Sequence, residues 1–326
     1  MWGDASSSRI TSRPGTDRRR AAHVPVRSGK VIEVHERMLG SSVARTRFLE
    51  IRSGHRVHVL EAGEGPPVLH LHGTNTSSLS HLPMLERSTG VRSIAVDRPG
   101  FGLSESARVP RERFRDAAVE FVDEVLDALG LEMSTLAGGS MGATWALWYA
   151  LARPGRVRRL ALLGSAPLLP GTRAPLPLKV MATPVIGDVL ARAVKPDATM
   201  VVRLLSSMGE KDTIVRYPDL IESVAAAGSD PIASRANLAE VRAALSPFGF
   251  RPAVRVSPEE VAQLSVPTLL VWGDHDPVGG VEVAEAIASL IPDVQLEVVP
   301  AGHVPWLGNP DRVSELVSAF VRSGSE

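Results

Sequence analysis

From about residue 47 onward, short apolar runs alternate with segments of helical periodicity, and few folds accept that rhythm. A short apolar run closed by Gly, Pro or Asp suits a strand buried on both faces, and helices between such strands cover those faces. The pattern therefore predicts an α/β architecture with a mostly parallel sheet. Candidate strands are Arg56 to Glu61, Val68 to His72, Ser93 to Asp97, Thr135 to Gly138, Arg159 to Leu163, Thr268 to Trp272 and Gln295 to Val299. Between them, Phe114, Ala118, Phe121, Val122, Val125 and Leu129 recur at helical spacing, with Gly130 where a helix ends. Asn309, Pro310 and Asp311 supply an N-cap, a first-turn proline and an acidic first turn for a closing amphipathic helix.

Two segments break the rhythm. Residues 166–262 open on Pro167, Pro170, Gly171, Pro175 and Pro177 and continue in helical segments, so they read as a helical cap inserted between two strands of the core, 44–165 and 263–326. An insertion after a strand's carboxyl end hangs over the crevice where open α/β sheets bind ligands. Residues 1–43 are rich in Ser, Arg, Gly and Pro, with Arg18, Arg19 and Arg20 in a row, and read as a flexible N-terminal extension.

Composition excludes several chemistries. Lysine plus arginine equals aspartate plus glutamate at 36 each, which leaves no global charge to favour nucleic acid or an anionic membrane and points to a small-molecule partner. The chain has no cysteine, so a thiol nucleophile, a thiolate metal site and a disulfide are all ruled out. With no apolar run long enough to span a bilayer and no secretory-type leader, the expected location is cytoplasmic.

The residues that carry chemistry lie at the carboxyl ends of the candidate strands. Gly138-Gly139-Ser140-Met141-Gly142 sits between a strand and the helix-like run Ala143 to Leu151. A serine on such a sharp turn is lifted clear of the backbone, and the Met141 amide at the helix N-terminus can donate to a developing oxyanion. A serine hydroxyl needs a base, and the base needs an orienting acid. His303 follows the last strand, on the loop before the closing helix, in the order serine, acid, histidine. The loop after Trp272 offers two acids, Asp274 and Asp276. Both are within reach of an imidazole; Asp274 stands where turn aspartates bond their own backbone, which makes Asp276 the better candidate.

In these motifs the chain resembles the α/β-hydrolase fold family, in its cap-bearing esterase, carbon-carbon hydrolase and haloperoxidase-like group. The resemblance covers about residues 47–165 and 262–322 and rests on His72-Gly73-Thr74, Asp97-Arg98-Pro99-Gly100-Phe101-Gly102 with Ser104, the Gly138 to Gly142 turn, and Gly273-x-x-Asp276 with Gly302-His303. It implies a mostly parallel eight-stranded sheet, Asp276 as the acid, and Thr74 as donor of a second oxyanion-hole amide beside Met141. It also implies a structural role for His72 and loop-ordering roles for Asp97 and Arg98. Epoxide hydrolases and haloalkane dehalogenases of this fold carry aspartate where Ser140 stands, which argues against both activities.

The expected activity is cofactor-free and metal-free hydrolysis of a small, mainly apolar carboxylic ester through an acyl-enzyme, with Gly73 and Trp306 lining the pocket and Leu168, Leu169, Leu176 and Leu178 roofing it. The alternatives are carbon-carbon hydrolysis of a dienoate, with a carboxylate held by one of Arg192, Arg203, Arg216, Arg235 and Arg242, amide hydrolysis, and non-catalytic ligand binding on the same fold.

Overall fold

The computed structural model describes residues 27–107 and 109–323. Eight strands form one sheet: β1 Arg45–Glu50, β2 Arg56–Ala62, β3 Pro67–Leu71, β4 Arg92–Val96, β5 Ser134–Gly139, β6 Val157–Leu163, β7 Thr268–Gly273 and β8 Val294–Val299. Their order is β1-β2-β4-β3-β5-β6-β7-β8, with β2 antiparallel to both neighbours and every pairing from β4 to β8 parallel. The seven candidate strands are all present within two residues at each end. β1 was not among them because it is an edge strand that buries only Leu49, so its sequence shows no apolar alternation.

Apolar cores lie on the two faces of the sheet. Phe114–Ala128 and Met141–Ala152 pack on one face, where Phe114 meets Trp145 and Trp148 edge-to-face at 6.0 and 5.5 Å. Leu82–Leu85 and the closing helix Pro310–Arg322 pack on the other. The Asn309 side chain accepts the Arg312 N–H at that helix's start, as the sequence predicts.

Between β6 and β7 the chain forms the helices Leu176–Ala182, Ile186–Ala193, Ala198–Ser207, Lys211–Ile214, Pro218–Ser229 and Pro231–Ala244 and a two-residue hairpin, Leu245–Ser246 with Gly249–Phe250. Ahead of the sheet, residues that the sequence assigns to a flexible extension form a helix, Gly29–Gly40. Val31, Val34 and His35 repeat at helical spacing and are buried, and Arg37 pairs with Asp219 on Pro218–Ser229 at 3.0 Å. Arg27, also buried, binds Ser104 O at 2.6 Å and Asp230 at 3.2 Å. Residues 1–26, with the arginine run, lie outside the described residues.

Among the described residues no helix is long and apolar enough to cross a membrane, and no group of three or more His, Cys, Asp or Glu is placed to hold a metal ion.

Candidate active site

The chain runs from β3 to β4 on one side and returns to β5 on the other, so the crevice at the carboxyl ends of β3 and β5 is the switch point of the sheet. Gly73 follows β3 and Ser140 follows β5. Ser140 adopts φ 53° and ψ −121°, a strained conformation for a side chain with a Cβ. Its flanking glycines permit the turn: a Cβ on Gly138 would stand 2.4 Å from Gly142 O, and one on Gly142 would stand 2.0 Å from Leu71 O. The strand and helix therefore touch backbone to backbone. Met141 opens the helix, so its N–H has no acceptor one turn back. Gly73 lies against the serine, where an added Cβ would come within 3.2 Å of Ser140 Cβ, and Thr74 is the next residue.

His303 and Asp276 reach the same point from the carboxyl ends of β8 and β7. Ser140 Oγ is 2.8 Å from His303 Nε2, and His303 Nδ1 is 3.0 Å from each oxygen of Asp276. A carboxylate only accepts, so the imidazole carries its proton on Nδ1 and leaves Nε2 to accept from the serine hydroxyl. Asp276 and His303 are buried. Burial pushes the Asp276 carboxyl up, but the electrostatic attraction and hydrogen bond of the His303 ring and the Ser165 donors outweigh that effect and hold it below the ordinary value.

The two acids of the β7 loop separate on their partners. Asp276 accepts the Val278 N–H on Oδ1 and the Ser165 N–H on Oδ2, each at 2.9 Å, which fixes its plane toward His303. Asp274 instead accepts the Ala301 N–H at 3.1 Å and contacts the exposed His275. The bond to a backbone two residues on, expected for Asp274, is made by Asp276. Ser165, which sequence reasoning missed, also has its Oγ 3.2 Å from His303 Nδ1. It follows β6, and only the strand order, with β6 beside β7, brings it there.

Other expectations need correction. Trp306 does not line a pocket mouth: it is buried, stacked on His81 with centroids 5.5 Å apart, and its six-membered ring lies so close to Gly139 that a Cβ there would stand 2.5 Å from it. The physical reason is packing: Trp306 lies on the short helix Pro305–Gly308, whose Pro305, Trp306 and Leu307 are all buried. The four leucines do not form one roof, since Leu168 and Leu169 are core residues and Leu176 faces solvent. Of the five arginines named as carboxylate holders, Arg192, Arg203, Arg216 and Arg235 are exposed, and Arg242 binds Asp188 at 2.9 Å.

The motif after β3 is ordered by buried polar groups. His72 donates from Nδ1 to Gly73 O at 2.8 Å and accepts the Arg98 N–H on Nε2 at 3.0 Å; burial holds its pKa well below the ordinary value, so it is neutral. Asp97 accepts the Ser78 and Leu103 N–H groups at 2.7 and 2.8 Å and pairs with His58. Arg98 does more than order its own loop. It is fully buried, donates to Gly73 O at 2.8 Å, lies 4.8 Å from the centre of Trp145, and pairs through both terminal nitrogens with Glu240 of the cap.

The comparisons with known proteins agree with this architecture. A family model described as alpha/beta hydrolase fold matches residues 66–310. A 2-hydroxymuconate semialdehyde hydrolase of Pseudomonas putida is 30% identical over 285 residues, covering 83% of this chain and 92% of that protein. A 2-hydroxy-6-oxo-6-phenylhexa-2,4-dienoate hydrolase of Burkholderia cepacia is 25% identical, covering 83% and 93%. Among solved structures, carboxylesterase CesB of Bacillus subtilis superposes with a TM-score of 0.70 at 22% identity, covering 90% of this chain and 98% of that one. The sheet order, the strand-turn-helix at Ser140 and the matched length lead to one conclusion: the chain belongs to the α/β-hydrolase fold family.

Proposed function

We propose that the chain is a serine hydrolase in which Ser140 is the nucleophile, His303 the general base and Asp276 the acid that orients it, acting on a small, mainly apolar acyl compound. The observation that carries the reading is the unbroken hydrogen-bonded line from Ser140 Oγ through His303 to Asp276. Ser140 Oγ attacks the substrate carbonyl carbon while its proton passes to His303 Nε2, and Asp276 stabilises the imidazolium. The carbonyl oxygen becomes an oxyanion held by the Met141 and Thr74 N–H groups. The imidazolium then protonates the leaving group, giving an acyl-serine that water hydrolyses by the same relay in reverse. No step in this sequence calls on a metal or an organic cofactor.

An ester is the first substrate class to try, because an alkoxide leaves more readily than an amine or a carbanion. Of the arginines named as carboxylate holders, four are exposed and the fifth, Arg242, is paired with Asp188, so none of these five supports a carboxylate-bearing substrate. Carbon-carbon hydrolysis is the second reading, favoured by the activities named for the relatives that match over most of their length. In that case the same relay would protonate a carbon leaving group.

The test is mass spectrometry of protein quenched with an activated short-chain ester. An acyl adduct on the peptide containing Ser140, absent from Ser140→Ala and formed at the same rate in EDTA, is expected. Cleavage of a 2-hydroxy-6-oxo-dienoate with no ester turnover and no adduct would replace the ester reading by the carbon-carbon one.

A further inference from the structure

The cap turn between helices Ala198–Ser207 and Lys211–Ile214 grips the loop that carries His303. Met208 O accepts the His303 N–H, and Glu210 Oε1 accepts the Val304 N–H, each at 2.9 Å. Two consecutive amides of the loop are thus held by one turn. The backbones touch: Gly209 has φ 82°, and a Cβ there would stand 2.7 Å from His275 O and 2.9 Å from Gly302 Cα. A Cβ on Gly302 would stand 2.3 Å from Met208 O and 2.8 Å from Glu210 Oε1. The turn therefore contacts the loops of both His303 and Asp276.

Glu210 is fully buried, although Gly209 and Lys211 beside it are exposed. Its Oε2 has no hydrogen-bond partner among the described residues. Burial pushes its carboxyl up, opposed by the Val304 N–H, Thr213, the Gly302 N–H and His303. Burying a carboxyl this way costs stability that an apolar residue would not. The return lies in geometry. An imidazole displaced by about an ångström loses its line to the hydroxyl, and an error of that size can lower a rate by about 100-fold.

We propose that Glu210 is a positioning residue for His303: its carboxylate oxygen fixes the Val304 amide and so the backbone from which the imidazole reaches Ser140 and Asp276. This rests on the serine-hydrolase reading above. The cap is then part of the catalytic apparatus as well as a cover for substrate.

The experiment compares kcat and KM for an activated short-chain ester in wild type, Glu210→Asp, Glu210→Gln and Ser140→Ala. Rates of wild type and the two Glu210 variants are normalised to active sites titrated with a covalent serine phosphonate, so that misfolded molecules drop out of the count; Ser140→Ala, which the phosphonate cannot label, is normalised to protein concentration with its fold checked by circular dichroism, and melting temperatures are measured for all four. Glu210→Asp keeps the charge but withdraws the acceptor by one methylene, and is expected to lower kcat about 10- to 100-fold with KM within about twofold. Glu210→Gln keeps an acceptor oxygen at full reach and is expected to stay within about threefold of wild type. Wild-type kcat in Glu210→Asp, or a rise in KM with kcat unchanged, would overturn the role. A larger loss in Glu210→Gln than in Glu210→Asp would also overturn it, by showing that charge rather than position matters. An inactive Ser140→Ala beside a fully active Glu210→Asp defeats only Glu210, whereas an active Ser140→Ala removes the relay and this proposal together.

Discussion

The sheet and the helical segment inserted between β6 and β7 are built on opposite terms. On the sheet side nearly every large apolar residue is buried, and the polar residues that surround the crevice, His72, Asp97 and Asp276, are hydrogen-bonded. On the cap side, Leu176 and Val185 are 72% and 71% exposed, and Ile186, Val189, Met200 and Leu204 also face solvent. The sheet earns its order from burial and strand pairing, so a small change there disturbs many contacts. The first cap helices are short, and few side chains on them are buried, which leaves their outward faces tolerant of change.

The largest effect that would sharpen this contrast is expected in the β7 loop. Asp276→Asn should lower kcat by about four orders of magnitude, because an amide can neither fix the imidazole tautomer nor stabilise the imidazolium. Asp274→Asn should cost less than about tenfold, since it alters only bonds to the Ala301 amide and the exposed His275. Steady-state kinetics on the two variants decides the matter, and the reverse order would transfer the acid's role to Asp274.

An intermediate effect concerns acid. His70, His72 and His81 are buried on the sheet side, where burial pushes all three below the ordinary 6.5 and His81 down to about 3. The cap segment 166–262 contains no histidine. Below pH 6.5 the unfolded chain binds protons at these sites that the folded chain does not, so their contribution to stability is whole above that pH and is lost as pH falls toward the folded values. Each proton steepens the loss by about 1.4 kcal/mol per pH unit. Urea midpoints should therefore drop between pH 7 and 5, and His81→Phe should flatten the slope by about one proton. Hydrogen exchange at pH 5 that showed the cap loosening while the sheet stayed protected would break the contrast.

The smallest effect belongs to the cap surface. Val189→Ser and Ile186→Ser should each change unfolding free energy by less than about 0.5 kcal/mol. A loss above about 2 kcal/mol, read from denaturant curves, would mean that this face is covered in solution.

The same contrast governs what could be read from the sequence. That Ser140 and His303 would meet was legible because each sits in a local motif whose order along the chain carries the information. Asp276 was legible only in part: both acids share one turn, and the donors that separate them, Ser165 and Val278, depend on strand order and loop shape. Trp306 was misjudged because proximity to His303 along the chain says nothing about whether a side chain turns toward a pocket or into the core. The Gly29–Gly40 helix was hidden beside an arginine- and serine-rich stretch that masked its Val31, Val34, His35 spacing. Glu210 and Glu240 gave no signal, since their partners lie 94 and 142 residues away.

The Arg98–Glu240 pair bears on how such a protein can change by recombination. A cap exchanged for one without an acid at that place would leave a guanidinium buried against Gly73 with no countercharge, and orphaning one member of a buried pair commonly costs about 3–5 kcal/mol. That is a large part of the stability of an ordinary domain. The graft would weaken the host before its new pocket met any substrate. Caps that carry an acid on the matching helix can be shuffled onto this core, while others require Arg98 to change in the same event. The pair thus works as a compatibility code between two parts of the gene, and lineages that diversify their substrates are constrained to diversify around it.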